Sequence, residues 1–286
     1  VAGFTVKITD TEDNEMVLEN KAPNIIERSS ILKMPKLSIP LTQPDDIIVF
    51  DDGIVEELCL EAFDTNKDNE LSYEEAAAVT DLSVLKLSGK AIKWFNELQY
   101  FTSVTKIPNS MFSSCSTMLE ITLPEGIVEI GSDAFRYCRA LKSVVLPEKV
   151  TTIGNSAFYY CQKIKSVVVP NTVNNLGSSV FSYCDNLESV TLPENITTIN
   201  ENMFRGCPML SSVNIPESVT SIGNSAFCDC SSLSSINIPE SVTSIGNSAF
   251  QGCSSLTSLN IPEKITNINK SLAYGCSSLK SIVFPK

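Results

Sequence analysis

A cysteine falls every 23 residues from Cys115 through Cys138, Cys161, Cys184, Cys207, Cys230 and Cys253 to Cys276, without one slip. A period held this strictly means that the chain repeats one supersecondary unit. Counted from each cysteine, apolar residues stand at +3, +6 and +8, Pro at +9, Val or Ile at +12, Ile or Leu at +15, Gly or Asn at +16, and Phe at +20 in all but the last complete repeat. The unit reads C-x2-L-x2-I-x-I-P-x2-V-x2-I-G-x3-F-x2-C. One such unit cannot bury its own apolar face, so it must stack on its neighbours.

The apolar positions at +3, +6 and +8 have the L-x-x-L-x-L spacing of a leucine-rich repeat. The segments Asn214 to Phe227 and Asn237 to Phe250 both read NIPESVTSIGNSAF. This text resembles the repeat of the BspA-like surface proteins of Bacteroides and related bacteria, over roughly residues 92 to 286. The resemblance implies a secreted or cell-surface binding protein, in some members an adhesin for host proteins, and no enzymatic activity.

Composition narrows the function from the other side. A net charge of -12 argues against a nucleic-acid or anionic-membrane surface, because phosphate binding needs clustered Lys and Arg. No run of 18 apolar residues exists, so nothing is expected to span a bilayer. Residues 1 to 20 mix charges with strand-like alternation and show no signal peptide; a leader or lipid anchor would lie outside this sequence. The count of histidines is 0, which removes Ser-His-Asp triads, Cys-His dyads and histidine-ligated zinc. No motif suggests catalysis by the remaining carboxylates, thiols and lysines.

The periodic cysteines recur at one place in the unit, three residues beyond an aromatic, as an inward-facing small hydrophobe would. They are expected to form a buried ladder of thiols rather than disulfides. Zinc is disfavoured because C-x2-C pairs are absent. Cys228 replaces a position held elsewhere by Arg, Tyr, Ser or Gln, so it is expected to be exposed and the most reactive thiol.

Three segments are predicted. Residues 1 to 48 form a β segment, alone or as part of a β-domain, in which GFTVKIT alternates, DTEDNE turns and IIERSSILKM can return; a linker follows from Pro40 to Pro44 with Asp45 and Asp46. Residues 49 to 91 form a helix-loop-helix and N-terminal cap, with Ile54, Val55, Leu58, Cys59, Ala62 and Phe63 as an apolar stripe, Asp51 and Asp52 at its start, and Ser72 with Glu75 as a capping box. Residues 92 to 286 form the repeat array. The fold class is an α/β solenoid, a right-handed leucine-rich repeat superhelix of 23-residue repeats behind an EF-hand-like cap.

The loop between the two helices places oxygen donors at positions 1, 3, 5, 7, 9 and 12: Asp64, Asn66, Asp68, the carbonyl of Glu70, Ser72 and Glu75. This is the EF-hand order for a hard cation, so structural calcium is expected there. Leu71 fills the apolar position 8, and Asn69 stands where Gly is usual at position 6. Asn is the next best residue for a left-handed backbone.

On the array, strand alternation turns +5 and +7 outward. The +5 row is mostly serine, from Ser143 to Ser281, and the +7 row mixes Thr122, Val145, Val168, Thr191, Asn214, Asn237, Asn260 and Val283. Beside them runs a carboxylate row at +10, Glu125, Glu148, Glu194, Glu217, Glu240 and Glu263, which solvated turns or a basic partner would accommodate. Tyr137, Tyr160 and Tyr183 share +22 with Tyr159 alongside, and they are the candidate ligand-binding residues. The expected partner is a host or extracellular protein. A glycan partner and a purely architectural spacer stay open.

Overall fold

The computed structural model describes residues 5–9, 15–19 and 46–284. The chain divides into two compact units, Val1–Thr42 and Gln43–Lys286. In the first unit β1 (Thr5–Thr9) pairs antiparallel with β2 (Glu15–Glu19), Thr5 opposite Glu19 and Thr9 opposite Glu15. The sequence reading gave the return strand to residues 25–34. The partner is instead the nearer run around Met16, Val17 and Leu18, which closes a shorter loop. Residues 25–34 and 40–45 lie outside the described residues.

The second unit carries a leucine-rich repeat solenoid of about eight coils at the 23-residue spacing. Successive coils are joined along three lines. The first is a parallel ladder at +5 to +7, seen between Ser166–Val168 and Ser189–Thr191, and again between Ser258–Asn260 and Ser281–Val283. The second runs along +14 and +15, through Lys106–Ile107, Glu129–Ile130, Thr152–Ile153 and Asn175–Leu176, then through Thr198–Ile199, Ser221–Ile222 and Ser244–Ile245. Sequence reasoning placed a strand only on the first line, because two residues per coil are too few to show alternation.

The third line is a turn spanning +17 to +22. Here Asp133, Phe135 and Tyr137 donate their backbone N–H groups to the carbonyls of Asn155, Ala157 and Tyr159 in the next coil, each at 2.8 Å. The residues at +18 and +22 hold positive φ, as at Ser156 (54°) and Tyr160 (60°), and this twist aims alternate N–H groups along the solenoid axis. Close stacking also explains the glycine at +16. A Cβ on Gly154 would stand 2.4 Å from the backbone nitrogen of Ser132 in the preceding coil. Where Asn200 and Asn269 replace it, their side chains donate to the carbonyls of Leu176 and Ile245 of the preceding coil.

Beside the buried aliphatic rows at +3, +6, +8, +12 and +15, the interior holds two columns of a single residue type. Phe112, Phe135, Phe158, Phe181, Phe204, Phe227 and Phe250 are each fully buried. Their rings stack with centroids 5.1 to 5.9 Å apart. Next to them the cysteines from Cys115 to Cys253 have no exposed surface and are free thiols. Each donates its S–H across a coil boundary: Cys138 to the carbonyl of Phe112 at 3.1 Å, Cys161 to Phe135 at 3.1 Å, Cys207 to Phe181 at 3.0 Å. A cysteine therefore suits this place twice, as a small apolar filler and as a weak donor. Burial pushes the thiols of Cys138, Cys161 and Cys184 well above the ordinary range and suppresses the reactive thiolate. Titration with a thiol reagent is expected to leave the cysteines from Cys115 to Cys253 unreactive in the folded chain and to count them only after denaturation. Several disulfides in protein handled without oxidant would contradict this.

Cys228 departs from the sequence expectation. It is buried, at 2% exposure, and not the exposed thiol of the chain. In its row at +21 Ser182 and Cys228, both small, are buried, whereas the longer Arg136, Tyr159, Arg205 and Gln251 are half-buried. Burial, with Asp229 adjacent, pushes the Cys228 thiol up to about 11. Cys276, in the last coil, is the least buried of the ladder.

Ahead of the coils stand α1 (Gly53–Phe63) and α2 (Tyr73–Ala78). Asp52 caps α1, its Oδ1 accepting from Ile54 N at 3.0 Å. Its Oδ2 accepts from Lys93 N at 2.7 Å, which ties the helix start to the first coil. Of the predicted stripe, Val55, Cys59 and Phe63 are buried, whereas Ala62 is exposed. Phe63 meets Phe101 edge-on at 5.6 Å, so this stripe is continuous with the solenoid core.

Candidate functional site

Two places bear on function. The first is the loop between α1 and α2. Leu71 is buried and its carbonyl accepts from Ile48 N at 2.8 Å, while Tyr73 N donates to Asp46 O at 2.9 Å; residues 46–48 thus pair with the end of the loop. Lys67 and Asn69 take left-handed φ of 62° and 66°. That turns their N–H groups onto Asp64, at 2.7 Å for Lys67 and 3.0 Å for Asn69. Asp68 accepts from Glu70 N at 2.9 Å and from Asn66 Nδ2 at 2.8 Å. Glu75 accepts from Thr65 N and Oγ1 through one oxygen, and from Ser72 N and Oγ through the other. Slight burial opposes the charge of Glu75, but these hydrogen bonds outweigh it and hold its carboxyl at about 2.

An oxygen-only donor set of this kind is chemically suited to a hard cation. In this arrangement, however, the carboxylates face loop donors, and no group of three His, Cys, Asp or Glu side chains among the described residues is gathered as a metal cage.

The second place is the tyrosine turn. Tyr137, Tyr160 and Tyr183 occupy +22 at φ of 60°, 60° and 58°. Glycine fills the same position at Gly206, Gly252 and Gly275. A left-handed backbone costs an L-residue roughly 1–2 kcal/mol, a cost that the three tyrosines share with Ser114 and Asp229 at the same register. The four half-buried rings form one cluster: Tyr160 stacks on Tyr183 at 4.7 Å, and Tyr159 meets Tyr137, Tyr160 and Tyr183 at 5.7, 5.0 and 5.5 Å. The row ends where Tyr183 leans over Gly206, since a Cβ there would lie 2.5 Å from its ring.

Sequence reasoning missed the arginines around these rings. Arg136 lies over Tyr137 at 4.9 Å and Tyr159 at 5.0 Å, Arg139 over Tyr137 at 5.6 Å and Tyr160 at 5.9 Å, and Arg205 over Tyr183 at 6.0 Å. The signal was present, because Arg136 and Arg205 share +21, next to the tyrosine row, and Arg139 is at +1. The other rows behave as strand alternation requires. The +5 serines, the +7 residues from Thr122 to Asn260 and the +10 glutamates are exposed, Val145 at 81%.

These coils, ladders and stacked columns define a leucine-rich repeat scaffold. The model of the BspA type leucine rich repeat region matches residues 93–211 and 199–286 in six copies, and the chain belongs to that family. It is a repeat family and points to no catalytic activity. A leucine-rich repeat protein from Bacteroides ovatus is similar at 25% identity and TM-score 0.64, over 84% of this chain and 62% of its own. The leucine-rich repeat protein of T. pallidum is similar at 32% identity and TM-score 0.52, over 54% of this chain and 72% of its own. One from Eubacterium ventriosum, at 22% identity and TM-score 0.55 over 63% of this chain and 58% of its own, shares the fold. The chain thus spans 62% of the length of the Bacteroides ovatus protein. No curated protein matches the sequence. No helix among the described residues is long and apolar enough to cross a membrane.

Proposed function

We propose that the protein is a non-enzymatic binding module of a bacterial cell surface that recognises a host or extracellular protein through its repeat surface. The observation that carries this reading is the tyrosine cluster, four half-buried rings gathered across three coils. The left-handed backbone recurs at +22 along the array, at Ser114 and Asp229 as well, so what sets this patch apart is its four clustered rings. Tyrosine is also among the residues enriched at protein interfaces. A protein partner is favoured over a glycan because Tyr160 and Tyr183 spend a ring face on each other, and sugar stacking needs free faces. Binding of the purified chain to a panel of extracellular proteins, beside a glycan array, tests the reading. Specific protein capture with a blank array supports it, a glycan hit alone moves it to the accessory-protein reading, and no binding at all leaves a spacer.

The same reading makes α1, α2 and their loop the cover of the first coil, which a solenoid needs, and places one calcium ion on Asp64, Asn66, Asp68, the Glu70 carbonyl, Ser72 and Glu75. Calcium would take over the role of the loop donors that now hold the carboxylates. Calorimetry is expected to give one site with affinity between about micromolar and millimolar, sharply weakened by Glu75→Gln. No heat, together with no effect of chelator on melting temperature, would remove calcium from the account.

A further inference from the structure

The chain contains four arginines, Arg28, Arg136, Arg139 and Arg205, and three of them surround the tyrosine cluster of a protein with net charge -12. Their concentration is not explained by ion pairing. Arg136 meets Asp133 at 3.1 Å, but among the described residues neither Arg139 nor Arg205 has a carboxylate partner. Arg136 donates Nη1 to Asp133 and Nη2 to the Tyr137 hydroxyl, whereas the Nε atoms of Arg136 and Arg205 are buried without a hydrogen-bond acceptor. Stacking on a ring leaves the edge of a guanidinium free, and that edge is the part that matches a carboxylate with two parallel N–H donors.

Resting on the reading above, we infer that this face recognises an acidic, extended protein segment, its carboxylates meeting Arg139 and Arg205 while its apolar or aromatic side chains lie on the tyrosines. The dimensions agree. Arg136 and Arg205 occupy the same register three coils apart, roughly 14 Å at the ladder spacing, and an extended chain covers that in about four residues. No cavity is needed for such a ligand; two surface pockets, around Glu97 and around Val145, lie away from these residues. The exposed glutamates at +10 make that row a poor site for an acidic segment.

The test is fluorescence anisotropy of the full chain with a labelled ten-residue peptide of alternating Glu and Tyr, its Gln–Tyr counterpart, and a labelled sulfated oligosaccharide. The Glu–Tyr peptide is expected to bind at least about ten-fold more tightly than the Gln–Tyr peptide, with the difference shrinking as salt rises. The double variant R139A/R205A should abolish that preference while Tyr160→Ala weakens both peptides. Arg139 is exposed and Arg205 half-buried, and R139K/R205K, which keeps charge but loses the planar fork, should fall between. Equal binding of the two peptides, an unchanged preference in R139A/R205A, or binding of the oligosaccharide without the peptide would each overturn the inference. Should the panel of extracellular proteins yield a partner indifferent to R139A/R205A, the binding-module reading would stand and this inference alone would fall.

Discussion

Phe181→Ala is expected to destabilise the second unit by about 3–5 kcal/mol, the range for removing a fully buried phenylalanine. Phe181 has no exposed surface and stacks at 5.8 Å on Phe158 and at 5.9 Å on Phe204, so the change opens a hole at two coil boundaries at once. In a solenoid each coil is supported only by its neighbours. A central gap should therefore broaden or split the unfolding transition. Phe250→Ala, with one phenylalanine neighbour at 5.5 Å, should cost less, by about the 0.5–1.5 kcal/mol of a ring pair. Denaturant melts of both variants measure this. A loss below about 1 kcal/mol for Phe181→Ala would mean that the column is not what holds the coils together.

The second large effect is steric. Gly154→Val should destabilise by about 1–3 kcal/mol, as overpacking does, because its Cβ is forced within 2.4 Å of the Ser132 nitrogen, and backbone cannot rotate away as a side chain does. Gly154→Asn should be milder, since an asparagine at this register can donate to the preceding coil as Asn200 does to Leu176. Melting temperatures of the two variants decide it. Equal losses would show that the close approach, and not the missing hydrogen bond, is all that matters at +16.

How far the sequence carried the structure depends on whether a feature repeats. The 23-residue period, the inward Phe and Cys columns and the outward rows at +5, +7 and +10 were legible because each recurs in register, and stacking turns a recurrence into a column. The ladder at +14 and +15 was not, because strands of two residues carry no alternation to read. Cys228 was misjudged because the long side chains that share its row at +21 reach solvent while the shorter Ser182 and Cys228 stay below the surface. At the candidate site the tyrosines could be named from their shared register, but not their left-handed backbone, which follows from the hydrogen bonds between turns. The arginines were missed for a related reason. They sit at two different repeat positions, +21 and +1, and only the fold folds both over the same rings.

The central claim is that recognition is anchored on the tyrosine turn of an otherwise uniform array. Repeated, nearly identical coils spread weak contacts over many side chains, so most single substitutions should cost little while a buried aromatic anchor should not. The direct measurement is the affinity of the unmodified chain, Tyr160→Ala and Ser235→Ala for a partner captured from the extracellular panel. The account predicts that Tyr160→Ala weakens binding by about 1 kcal/mol or more, while Ser235→Ala, on the exposed serine row, changes it hardly at all. Equal and negligible effects of the two substitutions would contradict it and move the site to the glutamate row at +10.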